Sequence, residues 1–161
     1  MLDKFKTVRK ILPAPRKHWV GNGFNVYPVF AQLAFTELLS PWLMFDYASP
    51  KQFAPTSSRL GVGQHPHRGF ETITIAFQGE IEHADSTGNR DVIKAGDVQW
   101  MTAGRGIIHE EFHGSKFAEA GGTLEMCQLW LNLCAALLKS NEALRISYPR
   151  RLTSNALLPL L

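Results

Sequence analysis

The chain has 161 residues, of which 45% are hydrophobic and 19% are charged. This size and this composition are typical of one globular domain, and they exclude a large modular assembly and wholesale disorder. The net charge is small, at 17 − 14 = +3. Six basic residues lie within positions 1–17, without a pattern of aromatic residues among them, so we predict that the chain does not bind nucleic acid directly.

The cysteines and the apolar runs bear on where the protein resides. Cys127 and Cys134 stand in no metal-binding or redox spacing, which predicts a reducing compartment. No signal peptide is visible, and the most apolar region, residues 26–45, is interrupted by prolines and by Glu37, so we predict no transmembrane helix. We therefore expect a soluble, cytoplasmic protein.

The first predicted elements are a leader with an extended segment over residues 1–19, short apolar strands from residue 20, and a loop over residues 51–63. The clearest strand follows, because side chains alternate over residues 71–77. If this strand continues unbroken from His65, its odd-numbered residues, Glu71 to Phe77, face the apolar interior.

Further short strands are predicted up to residue 133, with turns at residues 85–89 and 104–106. Five or more short strands at this spacing predict a single all-β domain, a barrel or a jelly roll, with no helix before residue 135. Residues 134–161 are predicted to form an irregular tail with a short helix around residues 135–144.

The histidines indicate a metal site. His65 and His67 are two residues apart, so both side chains point to one face of a strand, and His109 and Glu111 repeat this spacing on a second strand. Two such strands can enclose one ion with three imidazoles and one carboxylate. The predicted ligands are therefore His65, His67, His109 and Glu111.

Each pair taken alone could be an ordinary surface pair, and we predict that His83 and His113 are surface or rim residues. Neutral imidazoles with one carboxylate suit Fe(II), Mn(II), Ni(II), Cu(II) or Zn(II), and the lack of a thiolate disfavours a closed structural zinc site. Such a ligand set leaves coordination positions open for O₂ or for a chelating substrate.

Four segments resemble the pirin family of the cupin superfamily. They are QHPHRGFET at residues 64–72, GDVQWMTAGRGIIH at residues 96–109, LSPWLMFD at residues 39–46 and QLWLNL at residues 128–133. The resemblance covers residues 20–133 and corresponds to the N-terminal domain of the family. It implies a cupin-type β-barrel, which is a double-stranded β-helix or jelly roll.

The resemblance also implies a mononuclear divalent metal, Fe(II) before Mn, Ni, Cu or Zn, at His65, His67, His109 and Glu111. Glu71, which is the fourth ligand in many cupins, would then lie near the site, and Glu111 or Glu71 could act as the catalytic base. Some pirins are similar to quercetin 2,3-dioxygenases, which open a flavonol ring with O₂.

Two other functions remain open at this point. The chain could be an iron-dependent redox-sensing module that binds a transcription factor or a metabolic enzyme, or a fragment that keeps the metal site without activity. Pirins usually contain two cupin domains, and residues 134–161 do not resemble the continuation of the family, so we expect a truncated or frameshifted reading frame. Apolar surface left uncovered would then favour a homodimer.

Overall fold

Two antiparallel sheets form the fold in the computed structural model of the chain, which describes residues 7–8, 10–13, 15–31, 33–133 and 143–147. The strands in these residues are β1 His18–Val20, β2 Phe24–Phe30, β3 Trp42–Phe53, β4 Gly61–His67, β5 Phe70–Gln78, β6 Glu80–Asp85, β7 Arg90–Lys94, β8 Val98–Thr102, β9 Ile107–His113, β10 Gly122–Asn132 and β11 Ala143–Ser147. The seven-stranded sheet has the order β1-β2-β3-β10-β5-β8-β11, and the four-stranded sheet has the order β4-β9-β6-β7.

The hydrophobic core lies between the two sheets. The four-stranded sheet contributes Ile81 and Ile93, which pack against Ala76, Leu124 and Met126 of the seven-stranded sheet. Burying such side chains stabilises the fold by about 25 cal/mol for each Å² of apolar surface removed from water. This arrangement confirms the predicted all-β jelly roll.

Two short helices occur before residue 135, where none was predicted. They are α1, Leu33–Leu39, and α2, Ser115–Ala120. A segment of roughly two turns or less is too short to display a helical period in its sequence, and in α2 the buried anchor is Phe117 alone. Neither of these helices is long enough and apolar enough to cross a membrane, and no other helix in the described residues meets that condition.

The structure corrects two further element predictions. β3 extends to Phe53 and β4 begins at Gly61, so the predicted loop over residues 51–63 is shorter than expected. Ala143 and Leu144, expected at the end of a helix, instead begin β11, which pairs with β8. One edge of β8 pairs with β5, and pairing with β11 satisfies the backbone hydrogen-bonding groups of its other edge. The rest of the predicted helix, residues 135–142, lies outside the described residues.

The predicted inward face of β5 is wrong. Thr72, Thr74 and Ala76 are buried, whereas Phe77 is 46% exposed. The chain turns between β4 and β5 at Gly69, whose φ of 83° is readily accessible only to glycine. The turn carries the chain from the four-stranded sheet to the other sheet, so the facing of β4 does not continue into β5.

Three glycines allow the backbone to pack closely at the start of β4. A Cβ atom on Gly61 would overlap the carbonyl oxygen of Glu111, and it would lie 2.6 Å from Cα of Phe112. Cβ atoms on Gly21 or Gly23 would in turn overlap the backbone of Gly61. The chain between β1 and β2 therefore rests directly on β4, beside the strand that carries His109 and Glu111.

Candidate metal centre

The centre is built around β9, which lies between β4 and β6 in the four-stranded sheet. In the register, His109 of β9 stands opposite His65 of β4 and opposite Asp85 of β6. Alternation along β9 places His109 and Glu111 on its buried face. β4 adds His67, which is buried as well.

The structure brings together His65, His67 and His109. One potential ligand atom of each lies within 4.8 Å of those of the other two, and the ring centroids of His65 and His109 are 4.4 Å apart. The ring nitrogens are therefore close enough to share one ion, as the spacing of the two pairs predicts.

The free atoms of these rings fit a cation. Nε2 of His67 and Nε2 of His109 are buried and have no hydrogen-bond partner in the structure. Nδ1 of His65 lies 2.8 Å from the carbonyl oxygen of Gly63, to which only a donor can bond, so Nε2 is the ring nitrogen of His65 that is available to an ion. A buried polar atom without a partner destabilises the fold. A divalent ion bound by the lone pairs of these nitrogens would provide that partner.

Burial keeps two of the rings neutral. It lowers the pKa of His67 to about 3, aided by the nearby His109 and His65 and opposed by the charge of Glu111. Burial is also the main cause that lowers the pKa of His109 to about 3, with His65 and His83 adding to it. Both imidazoles are thus deprotonated at neutral pH, which is the form that binds metal.

Glu111 is held from the opposite sheet. The side-chain amide of Gln128 donates to Oε1 at 3.1 Å and to Oε2 at 3.0 Å, and the hydroxyl of Thr74 donates to Oε1 at 3.3 Å. Trp130 orients this amide by donating its indole N–H to the Gln128 carbonyl oxygen at 3.1 Å. The group of ligand atoms within 4.8 Å of one another contains the three imidazoles and leaves out Glu111.

Glu71 is not part of the group of ligand atoms that lie within 4.8 Å of one another. Its Oε1 accepts a hydrogen bond of 2.7 Å from the hydroxyl of Thr102 on the neighbouring strand β8. Thr74, which contacts Glu111, lies three positions further along β5, so alternation places Glu71 on the other face of the strand. The facing of β5 after the turn at Gly69 accounts for the absence of Glu71 from that group.

Aromatic rings line one side of the histidine cluster. The ring centroid of His67 is 4.9 Å from that of Phe70 and 5.2 Å from that of Trp130. The Phe70 and Trp130 rings are themselves 4.6 Å apart and inclined by 32°. Gln128 and Trp130 were not predicted as site residues, although side chains that alternate with leucines along β10 indicate one face of the interior.

His83 and His113 are buried, so their prediction as surface or rim residues is wrong. Alternation turns both rings inward on β6 and β9. Nε2 of His113 lies 2.9 Å from the carbonyl oxygen of Gly23, and its ring packs edge-on against Phe53. Nδ1 of His83 lies 3.3 Å from Nδ1 of His109.

The sequence matches a known protein family. The sequence model of the family described as Pirin matches residues 23–131. A Pseudomonas aeruginosa protein, provisionally named a quercetin 2,3-dioxygenase, is 56% identical over 128 residues, which are 80% of this chain and 45% of that protein. The chain thus spans less than half the length of this curated relative.

Solved structures agree with the fold. A crystal structure of a quercetin 2,3-dioxygenase from Acinetobacter baumannii has a TM-score of 0.80 and 53% identity, over 83% of this chain and 46% of that one. A cupin barrel domain protein from Salinispora arenicola matches with a TM-score of 0.50 and 20% identity over 82% and 94% of the two chains, a likeness of fold. The jelly roll is therefore of the cupin type, and the chain belongs to the pirin family.

Proposed function

We propose that this chain binds one divalent metal ion through His65, His67 and His109, with Glu111 as the fourth ligand, and that it acts as a quercetin 2,3-dioxygenase. The observation that carries the proposal is the convergence of three imidazoles, two of which bury an Nε2 atom without a partner. The name of the Pseudomonas aeruginosa relative supports the choice of reaction.

We propose iron(II) as the ion, with manganese, nickel, copper and zinc as the alternatives that the same ligands accept. A bound ion supplies a Lewis acid and, if it is redox-active, exchange of electrons with O₂. The protein supplies neutral imidazoles that need not lose a proton to bind it, because burial holds the pKa of His67 and His109 at about 3.

Glu111 is proposed as the base. Its Oε1 accepts hydrogen bonds from Thr74 and Gln128, whereas Oε2 accepts one, from Gln128. Oε2 therefore keeps more of its capacity to accept, and it is the atom that would face the ion or, with a flavonol bound, take its hydroxyl proton. The amide of Gln128 holds the carboxylate in place, so that little reorganisation accompanies the transfer.

Phe70 and Trp130 are proposed to bind the flat rings of the substrate. Both stand beside His67, and aromatic faces attract planar aromatic ligands through stacking and burial. A flavonol lying against these rings would direct its oxygens towards the histidines. The proposed substrate class is thus a small, planar aromatic compound with adjacent hydroxyl and carbonyl oxygens.

The proposal is tested with purified protein loaded in turn with each of the five metals and supplied with quercetin in air. We expect loss of the flavonol absorbance, uptake of O₂ and release of carbon monoxide. His67→Ala should abolish metal binding and turnover together, whereas the control His18→Ala, on exposed β1, should retain both. Stoichiometric metal binding without turnover for every metal would contradict the dioxygenase and favour the redox-sensing module.

A further inference from the structure

Three side chains form a buried line that ends at the metal centre. Asp85 Oδ2 lies 3.0 Å from Nε2 of His83, and Nδ1 of His83 lies 3.3 Å from Nδ1 of His109. The side chains of His83 and Asp85 are both 0% exposed. The remaining nitrogen of His109, Nε2, is the buried atom without a partner in the histidine cluster.

The hairpin turn after β6 fixes Asp85. Its Oδ1 accepts hydrogen bonds from the backbone N–H of Thr87 at 2.9 Å, from the hydroxyl of Thr87 at 2.7 Å and from the backbone N–H of Asn89 at 3.2 Å. Burial alone would raise the pKa of Asp85, but the hydrogen bonds from Thr87, His83 and Asn89 outweigh it and lower the pKa to about 2. The carboxylate is therefore ionised and can only accept hydrogen bonds.

The direction of each hydrogen bond in the line follows from this carboxylate. Since Asp85 only accepts, Nε2 of His83 must carry a proton and donate it. The two facing Nδ1 atoms share one hydrogen bond, and with the His83 proton on Nε2 its Nδ1 accepts, so Nδ1 of His109 is the donor. Nε2 of His109 is left with its lone pair, directed at the centre.

We propose that Asp85 and His83 are positioning residues, which fix the proton of His109 on Nδ1 and so present Nε2 to the metal ion. This inference rests on the proposed metal centre and adds two residues that neither bind the ion nor touch the substrate. A ligating histidine commonly donates its second N–H to an acceptor that sets its tautomer and ring orientation. Here that acceptor is another histidine, which a carboxylate orients in turn.

The line also explains two buried polar residues. An imidazole and a carboxylate removed from water carry a large desolvation cost unless hydrogen bonds compensate for it. The hydrogen bonds to Asp85 and His83 supply that compensation, and one of those to His83 comes from His109.

The test is Asp85→Asn, which keeps the size of the side chain and replaces the facing oxygen by an N–H donor. Oδ1 of the new asparagine can still accept from Thr87 and from the backbone of Asn89, while its amide faces Nε2 of His83. The side-chain amide of Asn89, which donates to both oxygens of Asp85, at 3.3 Å and 3.0 Å, keeps only Oδ1 as an acceptor there. His83 must then accept at Nε2 and donate from Nδ1, so His109 must accept at Nδ1 and carry its proton on Nε2. The substitution is expected to move the proton to the atom that should bind the ion.

Two measurements at neutral pH report on this change. Long-range proton–nitrogen NMR of histidine-labelled, metal-free protein is expected to show the Nδ1–H form of His109 in the wild type and the Nε2–H form in Asp85→Asn. Competition for Zn(II) with a chromophoric chelator is expected to show about tenfold to hundredfold weaker binding in the variant. The control Asp97→Asn alters another turn carboxylate, which caps the N–H of Lys94, and should change neither measurement.

A second variant covers the case in which Asp85→Asn does not fold. His83→Phe keeps a ring in place but removes the acceptor for His109 Nδ1, so we expect weaker Zn(II) binding and a mixture of His109 tautomers. Wild-type tautomers and wild-type Zn(II) affinity in either folded variant would overturn the inference. A wild-type protein that shows the Nδ1–H form but binds no Zn(II), iron or nickel would instead contradict the proposed metal centre and leave the hydrogen-bonded line intact.

Discussion

The side-chain amide of Gln128 donates to both carboxylate oxygens of Glu111, at 3.1 and 3.0 Å. The two residues belong to different sheets, since Gln128 lies on β10 and Glu111 on β9. The sheet that provides none of the three clustered histidines therefore holds the carboxylate beside them.

Gln128→Leu tests this contact. We expect the variant to bind metal with the wild-type stoichiometry but to turn over quercetin about tenfold to hundredfold more slowly, because Glu111 loses the amide that donates to both of its oxygens and keeps only the hydroxyl of Thr74. Steady-state kinetics and elemental analysis of the same preparation measure both quantities. Gln78→Leu removes a comparable amide–carboxylate contact, to Glu125 at 2.9 Å on the surface, and should leave kcat unchanged. Equal kcat values in the two variants would refute a role for Gln128.

Acid should destabilise the metal-free protein well above the pH at which carboxylates titrate. The pKa values of His67 and His109 are about 3 in the folded state, whereas the value in an unfolded chain is about 6.5. As the pH falls below about 6.5, the unfolded state binds protons that the folded state does not bind. The free energy of unfolding therefore declines down to about pH 3. Urea unfolding at a series of pH values measures the decline.

His67→Gln is the matched variant for this prediction. It removes one of the two rings, so the free energy of unfolding should depend less steeply on pH between about 6.5 and 3 than in the wild type. A wild-type stability that stays constant down to pH 4 would show that the histidines do not resist protonation as the structure requires.

Two glycines of β4 should respond differently to replacement by alanine. Gly61→Ala places a methyl group against the backbone of β9, and overpacking of this kind costs about 1–3 kcal/mol. Nothing lies within 4 Å of a Cβ built on Gly63, and its φ lies outside the left-handed region, so Gly63→Ala should be nearly neutral or slightly stabilising. Thermal unfolding of both variants measures the contrast, and similar losses would rule out the close packing at Gly61.

Trp130→Ala should weaken substrate binding more than it slows the reaction. Loss of one aromatic contact is worth about 1 kcal/mol, which corresponds to roughly a fivefold rise in KM for quercetin. Because Trp130 also orients Gln128, Trp130→Phe serves as the variant that keeps a ring and loses the N–H. The control is Trp100→Ala, which alters an exposed tryptophan on β8. A KM of Trp100→Ala as high as that of Trp130→Ala would argue against the proposed binding surface.

The sequence was sufficient to predict those features that depend on neighbours along the chain. Residues two apart on a strand share a face, so the pairs at His65 and His109 already pointed to a common centre, and the short strands predicted the jelly roll. The inward face of β5 was not predictable in this way, because the turn at Gly69 carries the chain to the other sheet and changes which side chains of β5 face inward.

Contacts between strands distant in sequence were beyond such reasoning. His83 and His109 are 26 positions apart, and their meeting depends on the register between β6 and β9. Gln128 reaches Glu111 only because two sheets pack face to face. A polar residue on an apolar strand marks such a position in the sequence, but the partner is defined by the fold.

β4 lies at the edge of the four-stranded sheet and pairs there with β9 alone. An ion shared by His65, His67 and His109 would therefore link the edge strand β4 to its neighbour β9. Without it, the amide groups of β4 are expected to exchange with solvent sooner than those of β9, which is enclosed on both sides. The rate of hydrogen exchange in β4 would then report whether the metal is bound.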